Sequence, residues 1–378
     1  MMREIKLTDK VYLYSCKTYR QQEVTPVINN LLDKMCADNN FTDFQGKKVV
    51  LKPNLLAKRA PDMGVTTQPS FVVAASLYFA EKGAEVIIAD SPGGVYHPTL
   101  LKSLYKVCRM DEATAAKLNL NVDCETVKWE DKEFSIISPL ANADIIVNLA
   151  RMKTHTLCDM TAAVKNLFGS IPGLTKAEYH AKFPNKKVFS EMLVDLCLAN
   201  APQINIIDGV VGMEGEGPAN GTPIKTGVII GSANPFAADC LCAELMGFNE
   251  DEVDTVRISR ERGLCPRVNE LKIEGEEISA HKFKFKRPKG TNSSIGLVKI
   301  LPGFIKRIFE TRVPQPFILK DKCIGCGECA RCCPAETIKM VGGKADIKYD
   351  KCIKCFCCQE LCPQKAVDIK KMKVKTEK

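Results

Sequence analysis

The sequence predicts an α/β chain, a doubly wound and mainly parallel sheet followed by a small α+β domain. Three observations predict it. Short runs rich in valine and isoleucine recur through residues 1–286 without alternating polar residues, as in strands buried on both faces. Longer stretches of helical period stand between them, the alternation that builds parallel crossover units. The C-terminal part instead repeats one cysteine pattern at a fixed interval.

Strands are expected at 11–15, 48–51, 85–89, 144–148, 205–208 and 227–231, and helices at 25–35, 70–82, 161–168, 189–198 and 235–246. Pro69-Ser70 and Asn234-Pro235 suit helix starts, because the N–H that proline lacks would have no acceptor in a first turn. Residues 287–316 read as a linker punctuated by Pro288, Gly290, Pro302, Gly303, Pro314 and Pro316, and Pro302-Gly303 stops any single long helix. Its apolar stretches, 295–300 and 304–309, are expected to pack on the large domain. Residues 317–370 form the cysteine-rich domain and 371–378 a basic tail. Just before the linker, Lys282-Phe283-Lys284-Phe285-Lys286 alternates like an edge strand with its lysines in water.

The 378 residues are 45% hydrophobic and 26% charged, an ordinary globular balance. No apolar run reaches the roughly 18 residues of a membrane-crossing helix, and the N-terminus does not resemble a signal peptide. A cytoplasmic protein without a transmembrane segment is expected. In a reducing setting its 19 cysteines are expected as thiols and metal ligands rather than disulfides. The formal charge of +9 raises the question of nucleic acid. Metal-bound thiolates cancel much of it, and the 7% of aromatics do not interleave with basic residues, so nucleic-acid binding is not expected. A redox partner protein is the expected use of the exposed lysines.

The cysteine pattern is Cys323-x-x-Cys326-x-x-Cys329-x-x-x-Cys333-Pro334, repeated 29 positions later as Cys352-x-x-Cys355-x-x-Cys358-x-x-x-Cys362-Pro363. This is the bacterial two-cluster ferredoxin run, in which each copy gives three thiolates to one 4Fe–4S cluster and its fourth to the other. A tight loop wraps three thiolates round one cube face, and the three-residue step with proline turns the chain to the neighbouring cluster. Cys323, Cys326, Cys329 and Cys362 are expected to hold one cluster, and Cys352, Cys355, Cys358 and Cys333 the other. Cys332 aligns with Leu361 and Cys357 with Glu328, so neither has a counterpart and both are read as packing residues. Exposed clusters react with oxygen, which suits an anaerobe.

Polar residues follow each predicted strand of the large domain: Lys52-Pro53-Asn54, Asp90-Ser91-Pro92-Gly93-Gly94, Asn148 with Lys153 and His155, Asp208-Gly209 leading to Glu214, and Ser232, Asn234 and Asp239. In an open parallel sheet the carboxyl ends of the strands line one ligand-binding crevice. Lys52, Lys153, Lys165 and His155 are candidates to hold a small anionic substrate. Asp208 and Glu214 are candidate acid–base groups, and Asp90, Asp208, Glu214 and Asp239 candidates for an additional divalent metal. Cys240 and Cys242 read as buried thiols, while Cys158, close after His155, is the isolated cysteine to test for reactivity.

Leu51-Lys52-Pro53-Asn54, Asp90-Ser91-Pro92-Gly93-Gly94, Lys153-x-His155, Lys165-Asn166-Leu167-Phe168-Gly169 and Asp208-Gly209 through Glu214-Gly215-x-Gly217-Pro218 together resemble the family catalogued as domain of unknown function 362. That family often carries a two-cluster ferredoxin module, which the resemblance implies here, and its name implies no activity. The functional expectation is an iron–sulfur oxidoreductase passing electrons from two clusters to a small anion at the strand ends. Two alternatives stay open: a non-enzymatic electron carrier whose large domain docks partners, and a maturation or hydrolase-like enzyme with structural or sensing clusters.

Overall fold

The structure is a computed structural model that describes residues 3–289 and 314–371. Most of the expected linker, its two apolar stretches and the basic tail lie outside the described residues.

In chain order the strands are β1 (Lys10–Ser15), β2 (Lys48–Pro53), β3 (Glu85–Ile88), β4 (Lys117–Leu118), β5 (Cys124–Trp129), β6 (Lys132–Ile137), β7 (Ile145–His155), β8 (Asp159–Thr161), β9 (Ile204–Glu214), β10 (Thr222–Ser232), β11 (Lys272–Gly275), β12 (Pro314–Ile318), β13 (Ile338–Val341), β14 (Lys344–Ile347) and β15 (Val367–Lys371). The helices are α1 (Gln21–Asn39), α2 (Pro69–Glu81), α3 (Pro98–Val107), α4 (Ser138–Ala141), α5 (Ala163–Asn166), α6 (Thr175–Lys182), α7 (Lys186–Asn200), α8 (Pro235–Leu245), α9 (Asp254–Glu261), α10 (Glu328–Arg331) and α11 (Cys357–Glu360).

The main sheet runs β11-β1-β10-β9-β7-β2-β3-β4, with β8 hairpinned onto β7. Pairs from β9 through β7, β2 and β3 to β4 are parallel, whereas β10 is antiparallel to both β1 and β9. The mainly parallel expectation therefore holds in the middle of the sheet and changes at β10. Successive residues of one strand enter different cores. Val49 and Leu51 of β2, with Val147 of β7, pack in the cluster under α1 and α2, while Val50 and Ile146 pack in the cluster under α7. Both faces are covered, which is why these strands read as unbroken apolar runs.

Two strands run further than expected. β7 continues past Asn148 to His155, with all eleven residues buried, and β9 continues past Asp208 to Glu214. The polar residues expected beyond the strand ends therefore lie within strands. They are tolerated there because each of these side chains has found at least one partner, even though His155 Nε2 has none. The expected helix at 161–168 shortens to α5 followed by a 3₁₀ turn at Leu167–Ser170. The lysine-rich stretch is no edge strand. It crosses the surface with Phe283 N and Phe285 N bonded to the carbonyls of Leu245 and Met246, Phe285 buried and its neighbouring lysines exposed.

In the C-terminal module β12 pairs antiparallel with β15 and β13 with β14, the latter through Gly342-Gly343 at positive φ, the two-residue turn that favours glycine. Because β12 begins at Pro314, the module starts slightly before the expected boundary at 317. Among the described residues no helix is long and apolar enough to cross a membrane.

Candidate functional site between the sheet and the cysteine module

The chemistry-bearing side chains gather at the carboxyl ends of β2, β3 and β7. Lys52, wholly buried at the end of β2, donates from Nζ to Asp90 Oδ1 at 2.6 Å and to Pro53 O at 3.1 Å. Asp90 Oδ2 accepts from Leu55 N at 2.6 Å. Burial pushes Lys52 down and Asp90 up, and the charge of each opposes the other's shift. A Cβ on Gly169 would sit 2.2 Å from Asp90 Oδ1 and 2.6 Å from Lys52 Nζ, so this pair needs a glycine beside it. Gly169→Ala should cost about 1–3 kcal/mol by overpacking, read as a lowered denaturant midpoint at unchanged m.

Beside this pair runs a ladder of amides. Asn54 Nδ2 donates to Asn166 Oδ1, Asn166 Nδ2 to Asn148 Oδ1, Asn148 Nδ2 to Asn205 Oδ1, and Asn205 Nδ2 to Ser232 O, spanning 2.8–3.2 Å. Asparagine suits this place because it both donates and accepts without charge. At the near end Lys153 Nζ donates to Asn54 Oδ1 at 2.8 Å and Val65 O at 2.7 Å. Burial, helped by nearby Arg151, lowers the Lys153 ammonium to about 7.

His155 closes β7. Its Nδ1 accepts from the backbone of Leu157 and Cys158 at 3.0 and 3.3 Å, which leaves the ring proton on Nε2. That nitrogen lies 3.3 Å from Oε1 of Glu360 in the module, close but not aligned as a hydrogen bond. Burial above all, with Lys165, pulls His155 down to about 4. Burial works to raise Glu360, but His155, Lys165 and His180 outweigh it and hold the carboxyl at about 2. Lys165 lies 5.0 Å from the Phe168 ring centroid and 5.5 Å from that of Phe189. His180 stacks on Phe189 at 4.4 Å, and burial lowers it to about 3.

Several of these groups line one cavity of about 80 Å³. Lys153, His155, Lys165 and His180 face it from the large domain, and Cys332, Cys357, Glu360 and Leu361 face it from the module. Further contacts hold the two walls together. Arg59 Nη2 donates to Cys362 O at 2.8 Å, and Gly93 packs so closely that a Cβ there would meet Leu361 at 2.3 Å.

Three of the expected catalytic and metal residues go elsewhere. Asp208 is buried in an ion pair with Arg151 at 2.8 Å and accepts from Tyr19 Oη at 2.7 Å. Glu214 pairs with Lys286, through Nζ at 3.1 Å and backbone N at 2.9 Å. Asp239 accepts from Ala163 N and Val164 N at the start of α5. None of the three lines the cavity. Among the described residues no three acidic, histidine or cysteine side chains form a single-ion site, so the expected divalent-metal set is not assembled. The reason is local: each carboxylate is already satisfied by a different donor. Lys52 lines no part of the cavity either, being turned onto Asp90.

Within the module lie two further cavities. One is lined by Cys323, Cys326, Cys329 and Cys362, the other by Cys333, Cys352, Cys355 and Cys358. The crossed sets expected from the spacing thus converge in space, and all-cysteine donor sets fit iron–sulfur clusters. The fourth cysteine of each copy accepts an amide hydrogen from four residues on, Thr337 N to Cys333 Sγ at 3.3 Å and Ala366 N to Cys362 Sγ at 3.1 Å. Such bonds stabilise thiolate charge and tune a cluster's potential.

Sequence comparison agrees with this arrangement. A family model described as a domain of unknown function, DUF362, matches residues 49–244, and a 4Fe-4S dicluster domain matches residues 315–363. The chain belongs to the DUF362 family. It is similar to the thylakoid-associated protein sll1697 of Synechocystis, 29% identical over 273 residues that cover 70% of this chain and 83% of that protein. Among solved structures it is similar to the lactate racemase apoprotein of Thermoanaerobacterium thermosaccharolyticum, at TM-score 0.39 and 11% identity, covering 61% of this chain and 56% of that one. This DUF362 chain is an iron–sulfur protein with a mostly parallel α/β domain.

Sequence reasoning missed Arg151, Lys176, His180 and Glu360. Lys176 and His180 are four apart on α6, one helical face, which is a usable signal. Cys158, singled out for reactivity, is buried, and burial lifts its thiol to about 12. Of the nine cysteines before the module only Cys124 is exposed. Brief alkylation of the native protein should modify Cys124 and spare Cys158, as read by peptide mass mapping.

Proposed function

We propose that this protein carries two 4Fe–4S clusters and delivers their electrons to a small anionic substrate bound between the sheet and the module. The observation that carries the proposal is the shared cavity. Its module wall is made of Cys332, Cys357, Glu360 and Leu361, each next or near in sequence to expected ligands Cys333, Cys358 and Cys362. A substrate lying there would touch the protein covering of the second cluster, the one assigned to Cys352, Cys355, Cys358 and Cys333. Cys323, Cys326, Cys329 and Cys362 would hold the first. Bound in these sites, the clusters would supply single electrons.

The chain's own groups do the rest. Lys153, held by Asn54 and Val65, offers a proton near neutral pH, the range in which a proton donor is most useful. His155 keeps its proton on Nε2 toward the cavity side. Burial between two walls excludes water and strengthens each of these interactions. The cation count exceeds the anion count once Lys52 and Asp90 cancel, which favours an anionic guest.

Anion affinity should fall as pH rises above about 7. Lys153 and Lys176, both lowered to about 7 mainly by burial, lose their charge there, so the attraction is present below that pH and lost above it. Binding isotherms between pH 6 and 8.5 check this, and a flat profile would argue against these lysines facing the guest. The function itself is tested by reducing the anaerobic protein, mixing it with a panel of small reducible anions and following reoxidation in the visible spectrum. Lys153→Met should slow the productive reaction about 100-fold or more, as loss of a proton donor does, with the iron content unchanged. Equal reoxidation by wild type and variant would sink the proposal.

A further inference from the structure

We infer that the cavity's guest is a small monocarboxylate with an apolar body, whose carboxylate is received by Lys165 and His180. The inference rests on the proposed function and names its substrate class.

Most cationic donors around the cavity are already engaged. Lys153 donates to two acceptors, and Lys176 donates from Nζ to Ser91 O, Ser91 Oγ, Pro92 O and Ile171 O. Lys52 is turned onto Asp90. Lys165 is different. It is 8% exposed and lines the cavity, yet among the described residues it makes only its two cation–π contacts, with no hydrogen bond and no ion pair. Glu360 shares the cavity but forms no ion pair with it among the described residues, and an ammonium buried to this degree with no anion in contact is costly, so an anion would complete the site. His180, 4% exposed, makes only ring contacts with Phe168 and Phe189. His155 Nε2 is also without a hydrogen-bond partner.

The available donors therefore come to three on Lys165, one on each histidine and the unpartnered hydroxyl of Thr161. A carboxylate accepts about four hydrogen bonds, so this set satisfies it. A phosphate or sulfate dianion has four oxygens and two charges, and would leave several oxygens against carbon. Leu56, Phe168, Leu174, Ala177, Pro218 and Leu361 give the wall its carbon, and of the other polar lining Asn54, Asp90, Ser91, Asn166 and Lys176 are already hydrogen-bonded within the protein. Glu360 on the same wall offsets one positive charge, which leaves the site suited to one negative charge rather than two. At about 80 Å³ the cavity equals the space of roughly five to eight waters, and so a guest of similar heavy-atom count. Nucleotides and flavins exceed that.

The test is calorimetric titration of the oxidised, cluster-loaded full chain under anaerobic conditions with crotonate, crotonamide and inorganic phosphate. Crotonate is expected to bind about 10- to 100-fold tighter than the neutral amide and than phosphate, the range of one or two charge-assisted hydrogen bonds. K165M should erase the preference for crotonate over crotonamide. It should also raise the melting temperature of the ligand-free protein, because it removes a buried charge that no anion contacts. H180L, which keeps Lys165, should weaken crotonate alone and by less, and it serves as the second variant if K165M does not retain its iron. Phosphate binding as tightly as crotonate, no probe binding at millimolar concentration, or a crotonate preference that survives both substitutions would overturn the inference. Titration of the oxidised protein needs no electron transfer. Its failure leaves electron delivery standing, whereas a chain that assembles no clusters removes electron delivery whatever it binds.

Discussion

Cys362→Ala should remove about half of the bound iron, and the cluster lost should be the one whose other three ligands lie in the first repeat, 33 to 39 residues earlier. The structure places Cys362 with Cys323, Cys326 and Cys329 round one cavity, while Cys333 joins Cys352, Cys355 and Cys358 round the other. Cys333→Ala should then spare the first site and empty the second. Iron and sulfide analysis gives the stoichiometry, and paramagnetic resonance of the reduced variants identifies the survivor. If Cys362→Ala instead behaved like Cys352→Ala, each repeat would be holding its own cluster and the crossed assignment would be wrong. The expected effect is large because Cys362 is buried and its sulfur already accepts the Ala366 amide, so no nearby water stands ready to replace it.

Asp208→Ala should destabilise the α/β domain by about 3–5 kcal/mol, the cost of leaving a buried partner charge uncompensated. Arg151 and Asp208 are both wholly buried, 2.8 Å apart, and the carboxylate also takes hydrogen bonds from Tyr19 and the backbone of Gln68. Removing the carboxylate strands the guanidinium. Restoring balance should recover most of the loss, so the double variant Asp208→Leu with Arg151→Met is expected to be markedly more stable than Asp208→Ala alone. Chemical denaturation of the three proteins checks both statements. A loss below about 1 kcal/mol, the range of exposed pairs, would mean that this pair is hydrated. The same variants separate structure from chemistry, since Asp208 is here a structural residue rather than an acid–base group.

Much of the module was legible because thiolate geometry restricts spacing, and a 29-residue repeat leaves little freedom in pairing ligands. The repeat carried more than was read from it. Cys357 and Glu360 face the cavity, while their counterparts Glu328 and Arg331 form an exposed ion pair and do not line it. Cys332 and Leu361 break the repeat too, and both line the cavity. The four module residues that line the cavity, Cys332, Cys357, Glu360 and Leu361, all stand at positions where the copies differ, because there one copy faces the large domain. Cys332 and Cys357 were read as packing residues, and their place in the cavity wall needed the fold. Gly327 becomes Phe356 at the same left-handed position, φ 75° and 62°, and the phenyl ring is buried against the second set of cysteines. Its packing there offsets a conformation that disfavours side chains.

The large domain was legible as a class and less so as a site. Apolar runs located the strands, but their ends were placed early in β7 and β9, because Arg151, Lys153 and Asp208 do not look like strand interiors. Polar residues at intervals of two along a strand share one face, so Arg151, Lys153 and His155 lie together on one side of β7. Which carboxylate meets which cation depends on contacts far apart in sequence, and no local pattern separates Asp90, which lines the cavity, from Asp239, which accepts from the first amides of α5. Lys165 and Lys153 were found as cations. That Lys165, unlike Lys153, makes no hydrogen bond or ion pair among the described residues was visible only in three dimensions.

The most direct measurement is a potentiometric titration of the two clusters by paramagnetic resonance, with and without saturating crotonate. A negative charge placed against the Cys332–Cys357 wall disfavours adding an electron next to it. The cluster held by Cys333, Cys352, Cys355 and Cys358 should therefore shift to lower potential, with the other moving less, and Lys165→Met should abolish the shift. Crotonate that binds yet leaves both potentials unchanged would contradict the claim that this cavity and the clusters form one electron-transfer unit.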